Sequence, residues 1–241
     1  MVQALVPLKD LVQAKTRLAG LLRPSERRAL AQAMVEDVLS VLCLHPALQR
    51  VTLLSDDPGA GMLAQKYGAV FMPETSLGCT GLNRVVSAAA GQLLQDSAQE
   101  LLVLHGDLPL LGADDITAVL AQRHSQGGLV VGCDRHRRGS NLLAFDRRSV
   151  PTFCFGIDSC QRHQQAASEL GIHSSVIQRS GIALDVDEAL DMALLMSSLD
   201  SAGRQSAALL HKTELGSRIE IALSAMAPTG VRVYKEHMTN D

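Results

Sequence analysis

The 241-residue chain predicts an α/β fold, a mostly parallel sheet with helices on both faces. Three observations carry this. Short apolar runs alternate with helical stretches almost throughout, the order that βαβ units produce. The run Leu101 to Leu104 is apolar at consecutive positions, as in a strand buried on both faces. It stops at His105-Gly106-Asp107-Leu108-Pro109, where Gly106 permits a turn or a close approach and Pro109 prevents the strand from continuing. Asp107 therefore stands at the carboxyl end of a central strand, where open α/β sheets bind ligands. Taken alone, it is as readily a residue that caps the loop.

In chain order, Ala4 to Val6 form an opening strand that Pro7 ends. The loop from Leu8 to Leu18 carries three cations, Lys9, Lys15 and Arg17. Pro24-Ser25-Glu26 opens a helix with Ser25 as its N-cap, and Leu30, Met34 and Val38 recur on one face. Val51 to Leu54 is the second strand. A helix from Gly61 to Tyr67 leads to the short strand Ala69 to Met72, and the glycine-punctuated loop Gly78 to Asn83 precedes a long helix, Arg84 to Gln95. After Leu101 to Leu104, a helix runs from Ala113 to His124 and breaks at Gly127-Gly128. Leu129 to Gly132 and Asn141 to Phe145 then follow as strands with no long helix between them, so residues 129–160 predict a hairpin-like insertion or a lid. Ser159 to Leu170 is helical, Val176-Ile177 and Ile182-Ala183-Leu184 read as strands, and a helix from Glu188 to Met196 closes the pattern. Residues 1–196 read as one domain, and 197–241 as a C-terminal extension with no role assigned.

Composition narrows the function. Aromatic residues are 2% of the chain and Trp is absent, which argues against modules that stack nucleic-acid bases. The formal net charge of −3 argues against a non-specific polyanion binder. The five cysteines form no C-x-x-C pair and are odd in number, the pattern of free thiols in a reducing compartment. The N-terminal apolar run is too short and too soon charged for a signal peptide, and no run approaches the ~20 residues needed to span a bilayer. A cytoplasmic protein that engages neither membrane nor nucleic acid is expected, with a homodimer admitted.

Gly59-Ala60-Gly61-Met62-Leu63-Ala64 fits G-x-G-x-x-A, but Asp56 and Asp57 just before it would repel a pyrophosphate. More informative are Lys9, Lys15 and Arg17, which follow the first strand and share the carboxyl edge of the sheet with Asp107. There they could neutralise a polyphosphate. Asp185-Val186-Asp187 places more carboxylates at an apolar strand end. One carboxylate from each of two strand ends, completed by substrate phosphates and water, is how Mg²⁺ is usually held. Asp185 is the favoured ligand; Asp187 is a second candidate that could instead cap the closing helix. Gly139-Ser140-Asn141 and Phe155-Gly156-Ile157-Asp158-Ser159 set small hydroxyl residues beside glycines near a helix start, a ready anion site. His163, one turn into that helix, reads as structural.

Taken together, Val6-Pro7-Leu8-Lys9, Ala14-Lys15-Thr16-Arg17-Leu18, Leu54 to Pro58, Gly81-Leu82-Asn83, Gly106 to Leu111, Gly139-Ser140-Asn141, Phe155 to Ser159 and Leu184-Asp185-Val186-Asp187 come in an order that resembles the 2-phospho-L-lactate guanylyltransferase family of deazaflavin coenzyme biosynthesis. The likeness covers about residues 2 to 196. It implies a Rossmann-like, glycosyltransferase-A-type nucleotidyltransferase domain that joins GTP to a small phosphorylated three-carbon acid and releases pyrophosphate. By position, Lys9, Lys15 and Arg17 would face the GTP phosphates, and Gly81 and Asn83 the nucleoside. Asp107 and Asp185, with Asp187 in reserve, would hold Mg²⁺. Ser140, Gly156 and Ser159 would contact the phospho-acid. Many members carry Pro-Gly where this chain has Ile157-Asp158, and Thr-Pro where it has Glu188-Ala189. The first departure falls at the acid pocket, and Asp158 could accept a hydrogen bond from a substrate hydroxyl. That favours 3-phospho-D-glycerate over phosphoenolpyruvate or 2-phospho-L-lactate. The competing readings are a nucleotidyltransferase for a sugar phosphate or molybdopterin, and a non-catalytic nucleotide-binding protein.

Overall fold

Seven strands form one sheet in the computed structural model, which describes residues 1–9, 11, 15–199, 203–211 and 213–226. They are β1 (Val2–Pro7), β2 (Leu48–Leu54), β3 (Val70–Met72), β4 (Glu100–Leu104), β5 (Leu129–Cys133), β6 (Ser140–Asp146) and β7 (Ser174–Ile177). Their order is β3-β2-β1-β4-β6-β5-β7. Neighbours are parallel except at β6, which runs antiparallel to both β4 and β5. The expected hairpin-like insertion is therefore β5–β6, and it is part of the sheet, with β6 slotted between β4 and β5. The helices are α1 (Pro24–Leu44), α2 (Ala60–Tyr67), α3 (Leu82–Asp96), α4 (Ala113–Gln126), α5 (Ser159–Glu169), α6 (Ser180–Ala183), α7 (Ala189–Ser198), α8 (Gln205–His211) and α9 (Glu214–Met226).

Side chains that alternate along each strand divide into two cores. Ala4, Val6, Leu102, Leu104, Leu142 and Ala144 pack against α1, α2 and α4 on one face. Leu5, Leu101, Val103, Leu143 and Phe145 pack against α3 and α5 on the other. Burial on both faces is why the β4 segment is apolar without a period of two. A third cluster joins Leu30 and Met34 of α1 to Met192, Leu195, Leu210, Leu215 and Ile219 of α7, α8 and α9. Asp37, buried in α1, accepts hydrogen bonds from the main-chain N–H of Gln205 (2.5 Å) and Ser206 (3.1 Å) and from the Ser206 hydroxyl, so one helix caps the start of another. Arg204 donates to the carbonyls of Pro109, Leu110 and Leu111, tying the start of α8 to the loop that carries Asp107.

Two local expectations are corrected. Ile182-Ala183-Leu184 does not form a strand: Ile182 and Ala183 belong to α6, and Leu184 follows it in extended backbone. The run lies over the sheet instead of pairing with it, and a Cβ on Gly132 of β5 would come within 2.9 Å of Ile182 Cγ2. Three apolar residues cannot distinguish a strand from a covering turn of helix. The N-cap of α1 is Arg23, not Ser25. Pro24 takes the first helical position, and the Arg23 N–H donates to Glu26 Oε2 at 2.7 Å. Among the described residues no helix is long and apolar enough to cross a membrane. Residues 227–241 of the expected extension lie outside the described part.

Candidate functional site

The sheet order reverses between β1 and β4, the place where ligands enter open α/β sheets. A cleft of about 1400 Å³ opens there, beyond the carboxyl ends of both strands. At its floor Gly106 lies against α1: a Cβ would come within 3.0 Å of Val35 Cγ2. A side chain here would press on a neighbouring helix.

Lys15 adopts the left-handed conformation (φ 57°, ψ 40°), a costly one for a residue with a Cβ. It turns the side chain back into the cleft, where Nζ lies 2.5 Å from Asp107 Oδ2 and 2.8 Å from Asp187 Oδ1 with the side chain 7% exposed. Burial works against the ammonium, but Asp107 and Asp187 outweigh it and raise its pKa above the ordinary lysine value. Burial likewise opposes ionisation of Asp107, yet the charge of Lys15 holds that carboxyl below its ordinary range. Asp107 Oδ1 is buried and has no hydrogen-bond partner among the described residues. Asp185 goes the other way: burial, then the negative charge of Asp107, raises its pKa. Its Oδ1 is oriented by Asn141 Nδ2 at 3.2 Å, and the same amide donates to the Ile182 carbonyl at 2.9 Å. Asp187 does not cap α7. Glu188 holds that position, and Asp191 Oδ2 accepts from the N–H of both Asp187 (2.9 Å) and Glu188 (2.8 Å), which leaves the Asp187 carboxylate to Lys15.

The opposite wall is built around Phe155 to Ser159. Asn83 clamps the Phe155 main chain: its Oδ1 accepts from the N–H at 2.8 Å and its Nδ2 donates to the carbonyl at 3.2 Å. Gly156 has φ 126°, a conformation that favours glycine, and Asp158 is left-handed at φ 53° as α5 begins. Asp158 Oδ1 accepts from Arg138 Nε at 2.7 Å. Ser159 Oγ accepts from the Ser140 N–H at 2.8 Å, and both serines are buried. Ser140 Oγ lies 3.0 Å from His163 Nδ1, while His163 Nε2 accepts from the Cys154 N–H at 2.8 Å.

One cleft thus brings together Lys9, Lys15, Arg17, Asp107, Ser140, Gly156, Asp158, Ser159, Asp185 and Asp187. Lys9 is exposed, and Arg17 is exposed and paired loosely with Glu188 at 3.3 Å. Gly81 and Asn83 are not among its lining residues; Leu82 between them is. The reading from sequence overlooked Asn141 as the residue that orients Asp185, and it assigned His163 no part in the site. Asn141 was visible in the Gly139-Ser140-Asn141 motif. For His163 the only signal was its place one turn after Ser159. Among the described residues no three His, Cys, Asp or Glu side chains converge as a metal-binding group.

A family model described as "Guanylyl transferase CofC like" matches residues 2–227. The phosphoenolpyruvate guanylyltransferase of Chloroflexus aggregans is 35% identical over 195 residues, covering 78% of this chain and 94% of its own length. That of Conexibacter woesei is 35% identical over 199 residues, covering 82% and 88%. Among solved structures, a protein from Desulfovibrio desulfuricans G20, described provisionally as a nucleotide-diphospho-sugar transferase, superposes with a TM-score of 0.76 at 16% identity, covering 92% of this chain and 97% of its own. A 4-diphosphocytidyl-2C-methyl-D-erythritol synthase gives 0.58 at 14%, covering 83% and 99%. At these identities the structures speak to the fold alone, a Rossmann-like sheet of the nucleotidyltransferase and glycosyltransferase-A type.

Proposed function

The chain belongs to the CofC-like guanylyl transferase family, and from that premise we propose that it transfers GMP from GTP to a small phosphorylated three-carbon acid and releases pyrophosphate. The observation that carries the reading is the convergence of Lys15, Asp107 and Asp187 at the reversal point of the sheet, opposite a wall of buried serines. An oxygen of the acid's phosphate attacks the α-phosphorus in line. A new P–O bond forms there as the bond from the α-phosphorus to the bridging oxygen breaks, and the electron pair leaves with pyrophosphate. A phosphate nucleophile is already ionised, so no general base is needed and catalysis consists of positioning and charge neutralisation. Lys15 neutralises phosphate charge from inside the cleft, and Lys9 and Arg17 do so from its rim. Gly81 and Asn83 belong to the nucleoside side in this reading, with Asn83 acting through the Phe155 main chain that it clamps.

Magnesium suits the carboxylates. Asp107 Oδ1 is buried without a partner among the described residues, and Asp185 is destabilised as an anion by burial and by Asp107, so a cation would satisfy both. Asp107 and Asp185 would hold it, with Asp187 freed if Lys15 turns to the phosphates. When bound, Mg²⁺ would offset charge on the phosphate oxygens.

The curated relatives make phosphoenolpyruvate the reference acid. Asp158 supports 3-phospho-D-glycerate instead. It lines the cleft beside Ser159, and Arg138 engages one of its oxygens, leaving a carboxylate where a substrate hydroxyl can donate. The product would enter deazaflavin coenzyme assembly in the cytoplasm. Incubation of the protein with GTP, Mg²⁺ and each of the three acids, with pyrophosphate measured, tests both levels. Release with none of them refutes guanylyl transfer to this class; faster release with phosphoenolpyruvate refutes the role given to Asp158.

A further inference from the structure

His163 is fully buried beneath the acid wall, with Phe155 edge-on to its ring at 5.0 Å. Both ring nitrogens are engaged, and the two contacts fix its proton. A main-chain N–H can only donate, so Nε2, which takes the Cys154 N–H, carries no proton. In the neutral ring Nδ1 is then protonated and donates to Ser140 Oγ. The Ser140 oxygen accepts from the ring, and its own hydrogen has no acceptor among the described residues. Ser159 matches it: its oxygen accepts from the Ser140 N–H and its hydroxyl hydrogen is likewise unclaimed. Both residues line the cleft.

We propose that His163 is a positioning residue that occupies one lone pair of Ser140 Oγ and so turns its O–H away from the ring, letting Ser140 and Ser159 together present two O–H donors to an anion that can only accept. The inference rests on the guanylyl-transfer reading for the identity of that anion, the phosphoryl group of the acid. A fully ionised phosphate offers acceptors alone, and two hydroxyls oriented to donate recognise it without placing another positive charge near the nucleophilic oxygen. Burial lowers the His163 pKa to about 4, outweighing a hydrogen bond with the Ser159 main chain that raises it, and the charge of Arg162 acts with burial, so the ring remains neutral at working pH.

Protein labelled with ¹⁵N at histidine reports the tautomer without any substitution at the site. A protonated Nδ1 and bare Nε2 are expected for His163; a proton on Nε2 overturns the proposal. Two substitutions then separate the ring's two bonds. His163→Gln keeps an acceptor near Cys154 and loses the donor to Ser140, whereas His163→Asn keeps an N–H for Ser140 and loses Cys154. The Gln variant should raise KM for the acid by about ten-fold, the cost of one hydrogen bond to a charged group, with KM for GTP unchanged. The Asn variant should recover most of that loss. In a Ser140→Ala background, His163→Gln should add nothing further. An unchanged acid KM in the Gln variant, or equal rises in both KM values, overturns the proposal. If no acid is turned over, inorganic phosphate titrated into the intact chain takes the place of KM. Weaker phosphate binding in Ser140→Ala and His163→Gln but not in His163→Asn then upholds the positioning role while guanylyl transfer falls. Equal phosphate binding in all of them defeats the positioning role.

Discussion

Acidification should destabilise this protein through His163, in a window that the structure defines. The ring is fully buried, and a second proton could only go to Nε2, which already faces the Cys154 N–H. Burial first, with Arg162 adding to it and a hydrogen bond with the Ser159 main chain opposing it, lowers the pKa from 6.5 to about 4. The unfolded chain therefore binds a proton at this residue between those values while the folded chain does not. Stability must rise with pH in that range. The contribution is present in full above 6.5 and is lost as pH falls towards 4. Its full size is about 3 kcal/mol, at roughly 1.4 kcal/mol per pH unit in mid-window. That is a large share of the ~5–15 kcal/mol that holds a domain folded. Urea unfolding from pH 7.5 to 4, run on the unaltered chain and on His163→Asn, isolates the effect, because other titrating groups contribute to both. The Asn variant should show a stability curve flatter by about one proton between pH 4 and 6.5. Parallel curves would mean that His163 already titrates normally in the folded state, and the burial argument would fail with them.

Asp107→Asn should lower turnover by at least about 100-fold, since it removes a charge from the centre of the site. Lys15 keeps Asp187 at 2.8 Å, so the stability cost should be only about 1–2 kcal/mol, below that of a fully severed buried pair. A rate equal to that of the unaltered protein would refute its placement. Chelation should abolish pyrophosphate release, and added Mg²⁺ should restore it; release that persists in chelator would exclude the carboxylates as cation ligands. Asp37→Ala leaves the Gln205 and Ser206 N–H groups and a buried hydroxyl unsatisfied, so it should cost about 2–4 kcal/mol in denaturant unfolding. Gly156→Ala should raise the acid KM and cost of order 1–3 kcal/mol, because φ 126° strains any Cβ-bearing residue. The nearest atom to such a Cβ is 3.9 Å away, so a normal unfolding midpoint would show that the backbone there relaxes.

Sequence patterning located the elements because each is a local decision. The β4 segment is apolar at every position since both its faces are covered, and Pro7 and Gly127-Gly128 end their segments through their own backbone chemistry. The α6 segment was misread for the same reason: over three apolar residues, strand and helix bury the same side chains. The charged residues were readable where they follow apolar runs, as Asp107 follows β4 and Asp185 follows the apolar turn of α6. The site was unreadable where a side chain serves a distant group, as Asn83 serves the Phe155 main chain and Asn141 the Asp185 carboxylate.

Composition and order alone determined an α/β sheet and the family resemblance, because periodicity, turn residues and charge are properties of short stretches. Only the tertiary structure decided which partner each charge has. Lys15 reaches Asp187 across 172 positions and Ser140 reaches His163 across 23. Arg204 and Asp37 bind the tail of the chain to the loop and helix beside the site. Such pairings exist only once the strands have brought their ends to one edge. Whether a carboxylate is held ionised, as at Asp107, or pushed towards its neutral form, as at Asp185, depends on the burial and the neighbours met there.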